Sequence, residues 1–178
     1  VLHGLEETGV QRHDSMVVIG TGPIGLMFIR MAKLRGAHVI AVGRRSNRLE
    51  TAQAMGADVV IDMVEIPDVV AAVRAETDQG RGVDRVVEAV GLPESWEQAI
   101  RMVRPGGTVN VFGGCPSKTI IPLDADLLHY SEITIKGTFH HTPRMIKLAL
   151  QLIADGAIDI DALITREAPL SQLPYVLD

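Results

Sequence analysis

The stretch Val17-Val18-Ile19-Gly20-Thr21-Gly22-Pro23-Ile24-Gly25 decides the fold. A β-branched run ends in Gly-x-Gly-x-x-Gly, and Met27, Phe28, Met31 and Leu34 follow Ile24 at three- and four-residue steps. A buried strand therefore turns sharply into an amphipathic helix whose Ile24-to-Leu34 stripe is expected to face a sheet. In such a turn Gly20 permits the tight bend, Gly22 lets backbone approach a pyrophosphate, and Gly25 lets helix pack on strand. Pro23 falls in the first helical turn, where its missing N–H costs nothing, and the free amides and helix dipole there favour a phosphate anion. A glycine turn can also merely join strand to helix, so the flanks must decide between the two readings.

Working outward, short Val- and Ile-rich runs at 16–20, 38–42, 59–61, 84–88, 108–112 and 133–138 alternate with segments of helical period. Gly36 ends the first helix. A second runs from Ser46, read as its N-cap, to Met55, with Gly56 as its stop. Val69, Val70 and Val73 mark a third helix, Trp96, Ile100 and Val103 a fourth, and Pro105-Gly106-Gly107 reads as a turn. The expectation is an α/β fold: a doubly wound, six-stranded parallel sheet of the Rossmann type. Its strand order would be 3-2-1-4-5-6, with ligands at the carboxyl ends of the strands. From about Thr142 the pattern changes to a helix over 143–154, an apolar stretch over 158–164 and a short helix over 171–177. This tail has no place in the sheet. The division expected is a dinucleotide-binding domain over 1–140 and a separate segment over 141–178.

Composition supports one packed domain, since 47% of the 178 residues are apolar. The 17 Lys plus Arg form no dense run and are outnumbered by 22 Asp plus Glu, so nucleic acid is not an expected partner. No stretch reaches the roughly 18 uninterrupted apolar residues of a membrane span, and no signal core opens the chain, so a soluble, cytoplasmic protein without membrane contact is expected. Val1 is not Met, as in a chain processed or cut from something longer. The single cysteine, Cys115, allows no internal disulfide and no Cys-x-x-Cys zinc pair, and the six histidines show no ligand spacing with it. No metal site is expected within these residues.

An NAD-specific site normally ends its second strand with an acid that accepts hydrogen bonds from the adenosine ribose. Here Val39-Ile40-Ala41-Val42 ends instead in Gly43-Arg44-Arg45-Ser46-Asn47-Arg48. Glycine removes the repulsion and bulk that would exclude a 2′-phosphate, and Arg44, Arg45 and Arg48 can grip that phosphate with charge-assisted hydrogen bonds. NADP is the inference, with NAD the second candidate because arginine can also stack on adenine. The three arginines could otherwise simply solvate a helix start.

The sequence resembles the zinc-type, or medium-chain, alcohol dehydrogenases, and is most similar to their polyol and threonine dehydrogenase branches. The resemblance rests on Val1-Leu2-His3-Gly4-Leu5, Gly20-Thr21-Gly22-Pro23-Ile24-Gly25 and Ala54-Met55-Gly56-Ala57-Asp58. It continues through Val86-Val87-Glu88-Ala89-Val90-Gly91, Arg104-Pro105-Gly106-Gly107 and Ile135-Lys136-Gly137. These pieces cover nearly the whole chain in order. The resemblance implies that backbone after the last three strands holds the nicotinamide: Ala89, Val90 and Gly91, then Phe112, Gly113 and Gly114, then Thr138 and Phe139. Without it, Gly113-Gly114 reads equally well as ordinary strand-end turn chemistry.

The resemblance further implies that the catalytic zinc and the alcohol or polyol substrate belong to a catalytic domain absent from this chain. Residues 162–170 would be the segment returning to that domain. The parent would be an NAD(P)-dependent dehydrogenase, this chain alone carrying no catalytic residue and no activity. A homo-oligomer joined through the sixth-strand edge is also implied. Cys115 reads as a small buried thiol, Glu88 as a structural hydrogen-bonding group, Trp96 as core, and Lys136 as a solvated or edge-guarding lysine. The rival from another class is a non-catalytic dinucleotide-binding sensor or interaction module. A methyltransferase with a similar glycine turn is disfavoured by the missing ribose acid.

Overall fold

The computed structural model describes residues 1–177; Asp178, the last residue of the expected tail, lies outside them. Six strands form one parallel sheet: β1 (Ser15–Ile19), β2 (His38–Gly43), β3 (Val59–Asp62), β4 (Val83–Glu88), β5 (Val103–Val111) and β6 (Thr134–Gly137). Their order is β3-β2-β1-β4-β5-β6, as the alternation of strands and helices predicts. The helices are α1 (Leu2–Thr8), α2 (Pro23–Leu34), α3 (Ser46–Ala54), α4 (Val69–Ala75), α5 (Pro93–Met102), α6 (Ala125–Tyr130), α7 (Pro143–Ala154) and α8 (Leu173–Leu177). Among the described residues no helix is long and apolar enough to cross a membrane.

Strand period two divides the core. Met16 and Val18 of β1 pack with α1 and α2 on one face, whereas Val17 and Ile19 pack with α4 and α5 on the other. Such strands are apolar throughout because both faces are covered. Each fully buried aliphatic side chain there contributes about 1.5–3 kcal/mol relative to exposure.

Four local expectations are corrected. The buried face of α2 is Gly25, Leu26, Phe28, Ile29, Met31 and Ala32, while Ile24 and Leu34 are 43% and 50% exposed. Phe28 and Met31 of the expected stripe are buried as expected, but the centre of the buried face is turned from that stripe by about 100° of helix rotation. Ser46 is the first residue of α3 rather than its cap; Arg45 holds the cap position and makes no side-chain capping bond. Val103 belongs to β5, where it pairs with Val83, and Pro105-Gly106-Gly107 lies inside the strand. Register there jumps from Val83↔Val103 to Arg85↔Thr108, and Gly106 takes φ +72°, so the segment is a bulge that tolerates proline. Finally, α6 occupies part of the segment before β6 that the sequence left without an element.

The amino ends of the strands are tied by Asp84 of β4. Its carboxylate accepts hydrogen bonds from the Ser15 amide and hydroxyl, both 2.7 Å, and from Arg104 Nε of β5 at 2.6 Å. Burial works to raise the Asp84 pKa, but these hydrogen bonds and the Arg104 charge outweigh it and bring the value down to about 2. The opposite, carboxyl end of the sheet is left open.

Candidate functional site

At that open end, β1, β2 and β4 part around a cleft of about 420 Å³. It sits beside the point where strand order reverses, between β1 and β4. The glycine turn forms its floor. Gly20 takes φ +107°, and its amide donates to Val42 O of β2 at 2.8 Å. A Cβ on Gly25 would collide with the Gly20 carbonyl, which fixes how closely α2 meets β1. Gly22 faces open space and is the N-cap of α2, with Pro23 at the first helical position and no side chain capping the free amides. Those amides and the helix dipole suit an anion in the cleft.

The wall beyond β2 is basic. Arg44, Arg45 and Arg48 all line the cleft and are exposed, and among the described residues none of them forms an ion pair. Arg44 Nε lies 3.3 Å from the Met63 sulfur. Arg45 has φ 66° and ψ 111°, a conformation that non-glycine residues seldom adopt, so the turn holds it under strain.

The sequence-predicted residues divide into three groups. Gly20, Thr21, Gly22, Gly43, Arg44, Arg45, Arg48, Ala89 and Val90 come together around the cleft. Pro23, Ile24 and Gly25 open α2, with Gly25 buried. Gly91, Phe112, Gly113, Gly114, Thr138 and Phe139 stand at or just past the ends of β4, β5 and β6, outside this cleft. There Gly91 and Gly114 run so close that a Cβ on Gly91 would lie 2.6 Å from the Gly114 carbonyl oxygen. Phe112 packs edge-on against Phe28 with centroids 5.0 Å apart, whereas Phe139 is 83% exposed.

Sequence reasoning missed Met63, Leu92, Glu94, Ser95 and Gln98, which also line the cleft. The signal for three of them was available, because helical spacing puts 94, 95 and 98 on one side of a helix that starts at Pro93.

Glu88 organises the β4 end. Fully buried, its Oε1 accepts from the amides of Val90 at 2.7 Å and Gly91 at 2.9 Å and from Ser95 Oγ at 2.8 Å. The structural role expected for it is what these bonds describe. Trp96 is only partly buried, and its indole N–H donates to Gly113 O at 3.0 Å, tying α5 to the β5 end. Two buried side-chain oxygens in the described residues lack a hydrogen-bond partner, Glu88 Oε2 and Gln98 Oε1. Both belong to the walls of this open end.

Cys115 is half-buried, and desolvation followed by the Glu88 and Glu94 charges pushes its thiol pKa up, the reverse of what a nucleophile needs. Among the described residues no three His, Cys, Asp or Glu side chains gather as metal ligands. Zinc therefore has no fit to these residues.

A doubly wound sheet with a glycine turn and an anion-suited cleft at its switch point defines the class of this domain. Comparison with known proteins gives the family. The family model described as zinc-binding dehydrogenase matches residues 23–155. The chain belongs to the zinc-binding dehydrogenase family. It is 32% identical over 175 residues to D-arabitol-phosphate dehydrogenase of Enterococcus avium, covering 97% of this chain and 49% of that protein. It is 33% identical over 172 residues to sorbitol dehydrogenase of Bacillus subtilis (strain 168), covering 96% and 48%. Among solved structures, one from Sinorhizobium meliloti 1021, described as a zinc-binding dehydrogenase bound to NADP, superposes with TM-score 0.94 at 31% identity. The match covers 99% of this chain and 52% of that one. The chain spans about half the length of the curated relatives it matches.

Proposed function

We propose that the cleft binds a nicotinamide dinucleotide, NADP in preference to NAD, and that the chain is the cofactor-holding part of an alcohol or polyol dehydrogenase. The observation that carries the preference is the end of β2, where Gly43 stands in place of an acid and three unpaired arginines border the cleft. Pyrophosphate lies against the α2 amides, and the 2′-phosphate is gripped by Arg44, Arg45 and Arg48. Ala89, Val90, Gly91, Phe112, Gly113, Gly114, Thr138 and Phe139 hold the nicotinamide end through backbone groups, which need little ordering on binding. The unpartnered Gln98 Oε1 offers an acceptor to a ligand donor in the cleft.

The bound nicotinamide supplies the hydride-transfer chemistry; these residues supply position. Zinc and the substrate site are assigned to residues outside this chain, to which residues from 141 onward return. A cytoplasmic homo-oligomer joined along the exposed edge of β6 belongs to the same reading; the position of β6 at the end of the sheet supports it.

Calorimetry and thermal melting with NADP and NAD test the preference. NADP at about 100 times its dissociation constant stabilises the chain by roughly 2.7 kcal/mol, and NAD at the same concentration by less. Equal or stronger stabilisation by NAD overturns it.

A further inference from the structure

Gly43 has no conformational reason to be glycine: it ends β2 with a φ outside the left-handed region, so any residue could take its backbone shape. What excludes a side chain is Thr21. A Cβ on Gly43 would lie 2.7 Å from Thr21 Cγ2 and 3.1 Å from Thr21 Cβ, with Oγ1 in closer contact still. Neither residue can easily yield. Thr21 is 4% exposed, and its branched side chain fills two of three staggered positions. The backbone beneath is pinned on both sides, by the Gly20 amide on Val42 O at 2.8 Å and the Met63 amide on Gly43 O at 2.9 Å.

We propose that Thr21 is a specificity-determining residue that bars any side chain, and so any carboxylate, from position 43. This rests on the reading that the cleft takes a dinucleotide. The ribose-binding acid of an NAD site would have to grow from Gly43, and Thr21 already occupies the space its first carbon needs. Cofactor choice is thereby set by a pair, with one member on the phosphate turn and the other at the end of β2. Substituting position 43 alone builds a strained cleft; reducing Thr21 to alanine removes both Oγ1 and Cγ2, the two nearest atoms.

The test uses two cycles, Thr21→Ala with Gly43→Ala and Thr21→Ala with Gly43→Asp. Each variant is melted without cofactor and titrated with NADPH and NADH by fluorescence. Gly43→Ala carries the bulk without the charge. The expected result is that Gly43→Ala lowers Tm by about 4 °C or more and that Thr21→Ala in that background recovers at least half of the loss. T21A/G43D is then expected to bind NADH at least about tenfold more tightly than G43D does. A Gly43→Ala chain that melts with the wild type, or losses that simply add in the double variants, overturns the proposal. Wild-type chain binding NADH as tightly as NADPH sinks the cofactor preference itself, and the cofactor-free melts still decide whether Thr21 bars position 43.

Discussion

Asn110 of β5 accepts a hydrogen bond from the Thr138 hydroxyl, just past the end of β6, at 3.1 Å, with both residues buried. The Asn110 amide donates in turn to Gly4 O and Thr8 Oγ1 of α1, both at 2.9 Å. One side chain thus joins α1 to the strand end assigned to the nicotinamide. Asn110→Leu leaves the Thr138 hydroxyl without its acceptor, while Gly4 O and Thr8 Oγ1 keep only the 2.7 Å bond between them, at a cost of about 2 kcal/mol in urea unfolding, and weakens dinucleotide binding with it. A stability loss below about 0.5 kcal/mol would contradict this account.

The Asp84 tie makes stability depend on acid. Its folded pKa of about 2 lies below the ordinary value of 3.8, so its contribution is complete above about pH 4 and is lost as pH falls through 2. That contribution is about 2 kcal/mol at most. Asp84→Asn should lower stability at pH 7 and flatten the acid limb between pH 4 and 2. An unchanged limb in denaturant titrations would remove Asp84 from this role.

Arg45 trades strain for charge. Arg45→Gly releases a backbone at φ 66°, so the variant melts no lower than the wild type while its NADPH affinity falls about tenfold or more. Loss of Tm together with unchanged NADPH affinity is the opposite pattern and would assign Arg45 to the fold.

Glu88→Ala leaves the Val90 and Gly91 amides without their acceptor and the Ser95 hydroxyl with Leu92 O alone, and should cost about 3 kcal/mol or more. Glu88→Gln keeps an oxygen for those donors and should cost clearly less. Equal losses in chemical denaturation would mean that side-chain volume, not hydrogen bonding, sets the value of this residue.

The parts of the fold carried by repetition were legible in the residues. Strand runs such as Val39-Ile40-Ala41-Val42 and the glycine turn gave the sheet order, because each repeats one strand-and-crossover rule. What escaped depended on contacts distant in sequence. Pro105-Gly106-Gly107 has turn chemistry, yet it becomes a bulge because Val103 pairs with Val83 across the sheet. Ile24 and Leu34 fit a helical stripe, but only the packed sheet selects which adjacent stripe is buried. The cleft was legible where backbone chemistry defines it, at Gly20 to Gly25 and Gly43 to Arg48. Met63 was not, since nothing local marks a sulfur side chain as lining a distant turn.

The crowding of Thr21 against Gly43 also constrains descent. A lineage moving from one dinucleotide to the other cannot change both positions in a single replacement, and the two orders of change are unequal. Enlarging residue 43 first passes through a crowded, less stable ancestor, whereas trimming residue 21 first removes the two atoms nearest to the new side chain. On the proposed reading the phosphate turn changes before the ribose position does, and cofactor preference in this chain depends on the order of replacements as much as on selection.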